Sequence, residues 1–219
     1  MKITILTICP EQFGDFQKTP IISRSIEKKL LELEIVDIRD KAEGCFRKVD
    51  DSPYGGGPGM ILRCQPVIDT LDMVRDENSH IVVLAPVGKP YRQSDAHRLS
   101  QEQHLVLVCG HFEGMDARIY PYADELLSIG DYILTGGELA AMVISDSVVR
   151  LLKGSMKEES VLDESFENGL LEYPQYTRPA DFRGDKVPEI LLSGDHEAIR
   201  HWRRNEAIRV TKEIRPDLL

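Results

Sequence analysis

Long apolar runs are missing from this chain of 219 residues. The longest, "IVVLAPV" and "LVLVCG", are strand-length and fall far short of a membrane span. The N-terminus "MKITILTICPEQF" lacks a basic segment ahead of a long apolar one, so it reads as a first β-strand and not as a signal peptide. Cysteine is scarce: Cys9, Cys45, Cys64 and Cys109 are scattered, with no CxxC pair and no neighbouring His cluster. That spacing argues against a zinc site and a disulfide scaffold, and it points to a reducing cytoplasm. Cys9 and Cys109 sit in apolar strand contexts and read as buried core thiols. No internal repeat or low-complexity tract is present, and 42% hydrophobic with 29% charged residues is a globular composition. A basic excess is also lacking, since the net charge is −10, which taken alone speaks against a nucleic-acid partner. Distribution tempers that sum: between His196 and Arg215, Arg200, Arg203, Arg204, Arg209, Lys212 and Arg215 face only Glu197, Glu206 and Glu213.

What is present is an alternation of strand and helix. Strand-like runs recur as "KITILTI", "EIVDIRD", "HIVVLAP", "LVLVCG" and "ELLSIGDYIL". Between them, "TPIISRSIEKKLLELE" carries Thr19 as N-cap, Pro20 at the first helical position, and Ile22, Ile26 and Leu30 on one face. Further helices are expected over residues 94–101 and 138–152. The pattern implies an α/β domain with a mostly parallel sheet covered on both faces. Near residue 154 the chain turns polar, acidic and aperiodic. The expected organisation is an α/β domain over 1–154, a linker over 155–166 and a small helical domain over 167–219.

Three glycine-bearing segments could carry chemistry. "VDDSPYGGGPGM" (residues 49–60) combines flexible glycines with the stiffening Pro53 and Pro58, which suits a loop that contacts a ligand or partner. "VCGHFEGMDAR" (residues 108–118) places Glu113 beside glycines after a strand end, where open α/β sheets bind ligands. His111, without a placed partner, reads as incidental. "GDYILTGGELAAM" (residues 130–142) runs from strand through Gly136 and Gly137 into a helix, but no Lys follows the glycines. With acids at Glu113, Asp131 and Glu138, the pocket suits a neutral or cationic ligand better than a phosphate.

These runs, followed by "GLLEYPQYTRP", resemble in order and spacing the signature segments of the bacterial tRNA (guanine-N1-)-methyltransferase (TrmD) family, of the SPOUT class. The similarity extends from "ITILTICPEQF" to "RPDLL". It implies a SPOUT-type α/β fold with a deep trefoil knot formed around residues 84–88, 109–114 and 129–137, plus a small all-α C-terminal domain for tRNA. It implies S-adenosyl-L-methionine held among Leu84, Pro86, Gly88, Gly110, Glu113, Gly114, Ile129, Gly130, Tyr132, Leu134, Gly136 and Gly137. The implied reaction methylates N1 of guanosine 37 in tRNA, 3′ of the anticodon.

The resemblance also implies a carboxylate base for the N1 proton and an Arg stabilising O6. Arg150 matches the Arg. The family's Asp before Ser-Phe is replaced by Glu164, with Asp163 one residue earlier and a linker one residue shorter than expected. Glu164 is therefore taken as the base with Asp163 in reserve. Asp50, Pro58, Gly59, Ser165 and Arg178 are the substrate-side candidates. Trp202 reads as core of the helical domain, with base stacking as the other reading. The family is a homodimer whose active site combines one subunit's knot with the partner's C-terminal domain. A magnesium requirement is associated with it, yet spacing assigns no metal site. Ala140 stands where the family usually has Pro. Two other readings compete: a methyltransferase of this fold acting on another RNA, and a non-catalytic RNA-binding module.

Overall fold

The computed structural model describes residues 1–157 and 164–219, which divide into two compact units, Met1–Met156 and Lys157–Leu219. In the first unit the strands are β1 (Lys2–Thr7), β2 (Glu32–Asp37), β3 (Asp50–Asp51), β4 (Ile61–Leu62), β5 (Ser79–Pro90), β6 (His104–Cys109) and β7 (Glu125–Ser128). Five of them form one parallel sheet in the order β2-β1-β6-β5-β7. The short β3 and β4 pair antiparallel apart from it.

The strands are apolar throughout because both faces of the sheet are covered. Side chains alternate between two cores with the period of two that a pleat imposes. Ile3, Ile5, Val82, Leu84, Leu105 and Leu107 enter one core, which also holds Ile22 of α1 (Pro20–Glu27), Leu99 of α3 (Gln93–Leu99) and Ile144 and Val148 of α4 (Glu138–Val149). Leu6, Ile81, Val83, Val106 and Val108 enter the other, with Val67 and Leu71 of α2 (Cys64–Val74). Helix α2 went unmarked in the sequence, where Pro66 interrupts the pattern; in the structure that proline occupies the first turn, where its missing N–H costs nothing.

Several local expectations are corrected. Thr19 precedes α1, but its hydroxyl donates to the Phe16 carbonyl and caps nothing. The helix stops at Glu27, well short of the apolar periodicity. Lys29 turns left-handed at φ +59°, and the Leu30 and Leu31 amides return to the Ser25 carbonyl. "GDYIL" is not strand: β7 ends at Ser128 and the chain is irregular up to α4. Cys109 is buried as expected, whereas Cys9 is only half-buried. Strand β5 runs on to Pro90, and both Leu84 and Lys89 pair with Leu127 across a bulge.

The second unit is built around α5 (His196–Ile214), whose first amides at Glu197 and Ala198 donate to the Asp195 carboxylate. Thr211 is buried in it, accepting from the Leu171 amide at 2.9 Å and donating to the Ala207 carbonyl at 2.6 Å. The all-helical expectation for this end is corrected by a small antiparallel hairpin, β8 (Asp181–Phe182) with β9 (Asp185–Lys186). Its turn needs Arg183 and Gly184 at positive φ. Among the described residues, no helix is long and apolar enough to cross a membrane.

Candidate functional site

The bulge of β5 and the carboxyl ends of β6 and β7 open onto a crevice of about 420 Å³. Its walls are residues 84–87, 110–115, 127–130 and 132–137, closed by Tyr120 and Ala140. Parallel sheets place ligands at this end, because the loops leaving neighbouring strands diverge there. The expected cofactor residues Leu84, Pro86, Gly110, Glu113, Gly114, Ile129, Gly130, Tyr132, Leu134, Gly136 and Gly137 all lie in the wall. Gly88 does not. A Cβ there would sit 2.5 Å from the backbone of Leu127, so this glycine serves the close packing of β5 on β7.

Backbone proximity shapes the crevice. The Gly137 amide donates to the Gly110 carbonyl at 2.7 Å, and His111 bridges to Gly136. Tyr132 folds its ring against Gly130, with its hydroxyl donating to the Ile129 carbonyl at 3.2 Å. Among the described residues, no Lys or Arg stands in the wall. Its acidity is less than the sequence implied: Glu113 lines it, Asp131 is exposed outside it, and Glu138 is buried.

The glycine-rich loop is tied to the same wall. Glu113 donates its amide to the Met60 carbonyl at 3.0 Å, and the Leu62 amide donates to the Gly114 carbonyl at 2.9 Å. Gly59, at φ +75°, lies so close to Glu113 that a Cβ would collide with that side chain. Asp50 pairs with Leu62 at the foot of the loop, and Pro58 is exposed. A wider hollow of about 700 Å³ flanks the loop, lined in part by Asp51, Tyr54, Gln65, Asp116 and Arg118. Hydrogen bonds from the Arg118 guanidinium and amide hold the Asp116 carboxyl well below its usual range.

Beneath the glycine turn lies a polar cluster that sequence reasoning missed. Glu138 Oε1 accepts from Thr7 Oγ1 at 2.7 Å, and Thr7 Oγ1 accepts from the Cys9 amide at 2.9 Å. Glu138 Oε2 stands 3.8 Å from His111 Nδ1, a buried nitrogen with no hydrogen-bond partner. Phe112 next to it takes φ +59°, with its ring edge-on to His111 at 4.9 Å.

A family model described as tRNA (Guanine-1)-methyltransferase TrmD matches residues 1–219. The chain belongs to this family. Three relatives named tRNA (guanine-N(1)-)-methyltransferase are similar over the whole chain. The one from Clostridium beijerinckii is 52% identical over 220 residues, covering 100% of this chain and 92% of the relative. Those from Clostridium botulinum strain Alaska E43 and Clostridium perfringens strain SM101 are each 51% identical, covering 100% of this chain and 92% and 93% of theirs.

The residues that the TrmD resemblance marks for chemistry are divided between the two units. Arg150 is the half-buried C-cap of α4 in the first unit. Glu164 and Ser165 in the second unit are both half-buried, and Ser165 Oγ accepts from the Glu172 amide at 3.0 Å. Asp163 lies outside the described residues. Arg178 is exposed. Trp202 is half-buried edge-on to Tyr173 at 6.5 Å, and Arg203 stacks over the Tyr173 ring at 4.9 Å. Of the basic residues on α5, Arg209 is engaged by Glu206 and Glu213, while Arg215 just past its end is engaged by Asp217. That pairing trims the positive face expected from the sequence.

Proposed function

We propose that the chain methylates N1 of guanosine 37 in tRNA, taking the methyl group from S-adenosyl-L-methionine. The observation that carries the reading is the crevice at the strand ends, in a chain matched over its whole length by the family model. The donor fits these walls. Glycines at 110, 136 and 137 keep side chains out of the space an adenine would fill, and Glu113 offers a carboxylate to a sulfonium. The lack of Lys and Arg suits a ligand without phosphate. When bound, the donor supplies an electrophilic methyl group.

The protein's task is then proton handling and positioning. Guanine N1 is a poor nucleophile until its proton leaves, and Glu164 is assigned as the acceptor, with Asp163 in reserve. Arg150 is assigned to the negative charge that develops toward O6. Asp50, Pro58 and Gly59 hold the extruded guanine near Glu113, while Ser165, Arg178 and the basic face of α5 meet the tRNA. Much of the rate comes from holding N1 in line with the methyl group.

The trefoil knot belongs to the same proposal, supported by the close crossing of residues 136–137 over 109–111. So does a homodimer whose active site combines one subunit's crevice with the partner's C-terminal unit. Apolar side chains near the crevice support it, since Tyr132, Ile133, Leu139 and Val143 are all exposed in a single chain. Magnesium selects oxygen donors. The three-donor cluster found among the described residues offers sulfur and nitrogen as well, and no step is assigned to magnesium.

The test is a calorimetric titration with S-adenosyl-L-methionine, followed by methyl transfer to unmodified tRNA bearing guanosine or adenosine at position 37. One donor per crevice and methylation of the guanosine substrate alone are expected. Donor binding with transfer to both substrates or to neither would overturn the assignment of position 37. Absence of donor binding would remove the methyltransferase reading altogether.

A further inference from the structure

We propose that Cys9, His111 and Glu138 form a binding site for a divalent cation of the zinc type at the glycine-turn wall of the crevice. Their donor atoms all lie within 4.8 Å of one another. His111 also lines the crevice, but Cys9 and Glu138 do not, and metal content is read without the methyl donor, so this inference can fail or hold independently of the methyl-donor reading.

Four observations converge on it. The first is the orphaned His111 Nδ1, which is buried and lacks any hydrogen-bond partner. A buried nitrogen left unpaired is costly, and ligation of an ion is one way to satisfy it. The second is the carboxylate it faces. Glu138 is 2% exposed, and its Oε2 is 3.8 Å from Nδ1, too far for a hydrogen bond. Tetrahedral zinc, with bonds of about 2.0–2.3 Å, sets donor separations near 3.3–3.7 Å. The cluster therefore needs to contract by roughly an ångström or less, which side-chain rotation can supply.

The third observation is the space itself. A Cβ on residue 136 would collide with Glu138 Oε2 and stand 2.6 Å from His111 Nδ1, so the gap between the two donors exists because that residue is glycine. The fourth is the support behind the ligands. Thr7 Oγ1 donates to Glu138 Oε1 and accepts from the Cys9 amide, so one hydroxyl orients two of the three ligands. Ligating side chains are commonly fixed in this way.

The donor set chooses the ion. One thiolate, one imidazole and one carboxylate match zinc or cobalt and not magnesium or calcium. Binding requires Cys9 to release its proton to solvent and His111 to carry its proton on Nε2, with Nδ1 as the ligand. Three protein donors leave a fourth position for water. The cysteine spacing argued against zinc because Cys9, His111 and Glu138 come from three separate stretches. They meet because β1 and β6 are adjacent, Leu6 lying opposite Val108.

The test uses the full chain, stripped with a chelator and reloaded with zinc or cobalt ions. One equivalent of zinc per chain is expected. The cobalt form should show a thiolate-to-metal charge-transfer band with visible bands of tetrahedral intensity. Cys9→Ser should remove the charge-transfer band and His111→Gln should weaken zinc binding at least tenfold, while Cys45→Ser and Cys64→Ser leave both unchanged. Zinc-edge X-ray absorption on the unsubstituted protein gives a reading that no misfolded variant can confuse, with one sulfur and two or more nitrogen or oxygen neighbours expected. The proposal is overturned by substoichiometric zinc, by a zinc shell without sulfur or with two sulfurs, or by a charge-transfer band that follows Cys45 or Cys64.

Discussion

Gly137 is packed against the backbone of Cys109: a Cβ on it would stand 2.8 Å from the Cys109 Cα and 2.9 Å from the Gly110 nitrogen. The obstacle is main chain on a buried strand end, so no side chain can swing aside. Gly137→Ala must therefore push the turn off β6. A destabilisation of about 1–3 kcal/mol is expected, typical of overpacking. For a chain of this size that lowers Tm by several degrees. Calorimetry checks the stability and titration with S-adenosyl-L-methionine checks the wall; a Tm equal to that of the unsubstituted protein would show the contact to be slack.

Glu164→Gln keeps the shape of the side chain and removes its capacity to accept a proton. Loss of a general base slows the chemical step by roughly 10²–10⁴-fold. Single-turnover methyl transfer with saturating donor reads that step directly, and donor affinity should be unchanged. If Asp163→Asn shows the loss and Glu164→Gln does not, the roles of the two acids are exchanged. If neither does, proton abstraction by this linker is wrong.

The sheet was legible because β1, β6 and the first half of β5 are apolar runs alternating with helical stretches, the pattern of a parallel sheet covered on both faces. The crevice was legible from its glycines and the missing Lys, and the match to the family segments put residue numbers on it. What escaped were features made by distant partners. Gly88 resembles the other glycines in sequence, yet it answers to Leu127 across the sheet. Glu138 looked like an acid of the pocket until Thr7, at the end of β1, took its carboxylate. His111 looked incidental because the residue facing it lies beyond the next strand. The hairpin at 181–186 rests on two-residue strands, too short for any alternation to show.

Acid should loosen the first unit through Asp95. Burial on its own would raise that carboxyl, but hydrogen bonds from Lys89, the Arg92 amide and Arg98 outweigh it and hold it below its ordinary value. A carboxyl depressed in the folded state stabilises it above the unfolded pKa of about 3.9, and that contribution fades as pH falls through the folded value. Asp95→Asn should thus lower stability at pH 7 and much less at pH 3. Denaturant titrations at the two pH values check it, and an equal loss at both would refute the charge argument.

Arg178→Ala tests the RNA side. A phosphate contact adds about one unit to the salt dependence of binding. The variant should bind tRNA more weakly, with a shallower slope of log affinity against log salt, and should bind the methyl donor normally. An unchanged slope would remove Arg178 from the interface.

The crevice also has a history within each molecule. Its walls come from the bulge of β5, the ends of β6 and β7 and the turn before α4, and the last of these is made long after the first. On the ribosome, a nascent chain that has extruded only through β6 holds β5 with one neighbour, its other edge waiting for β7. Until residue 137 emerges the fourth wall is incomplete, and a small ligand has no closed crevice to hold it. Ligand binding should appear as a single late event during synthesis, and the open edge of β5 marks the interval in which the nascent chain is most exposed to aggregation.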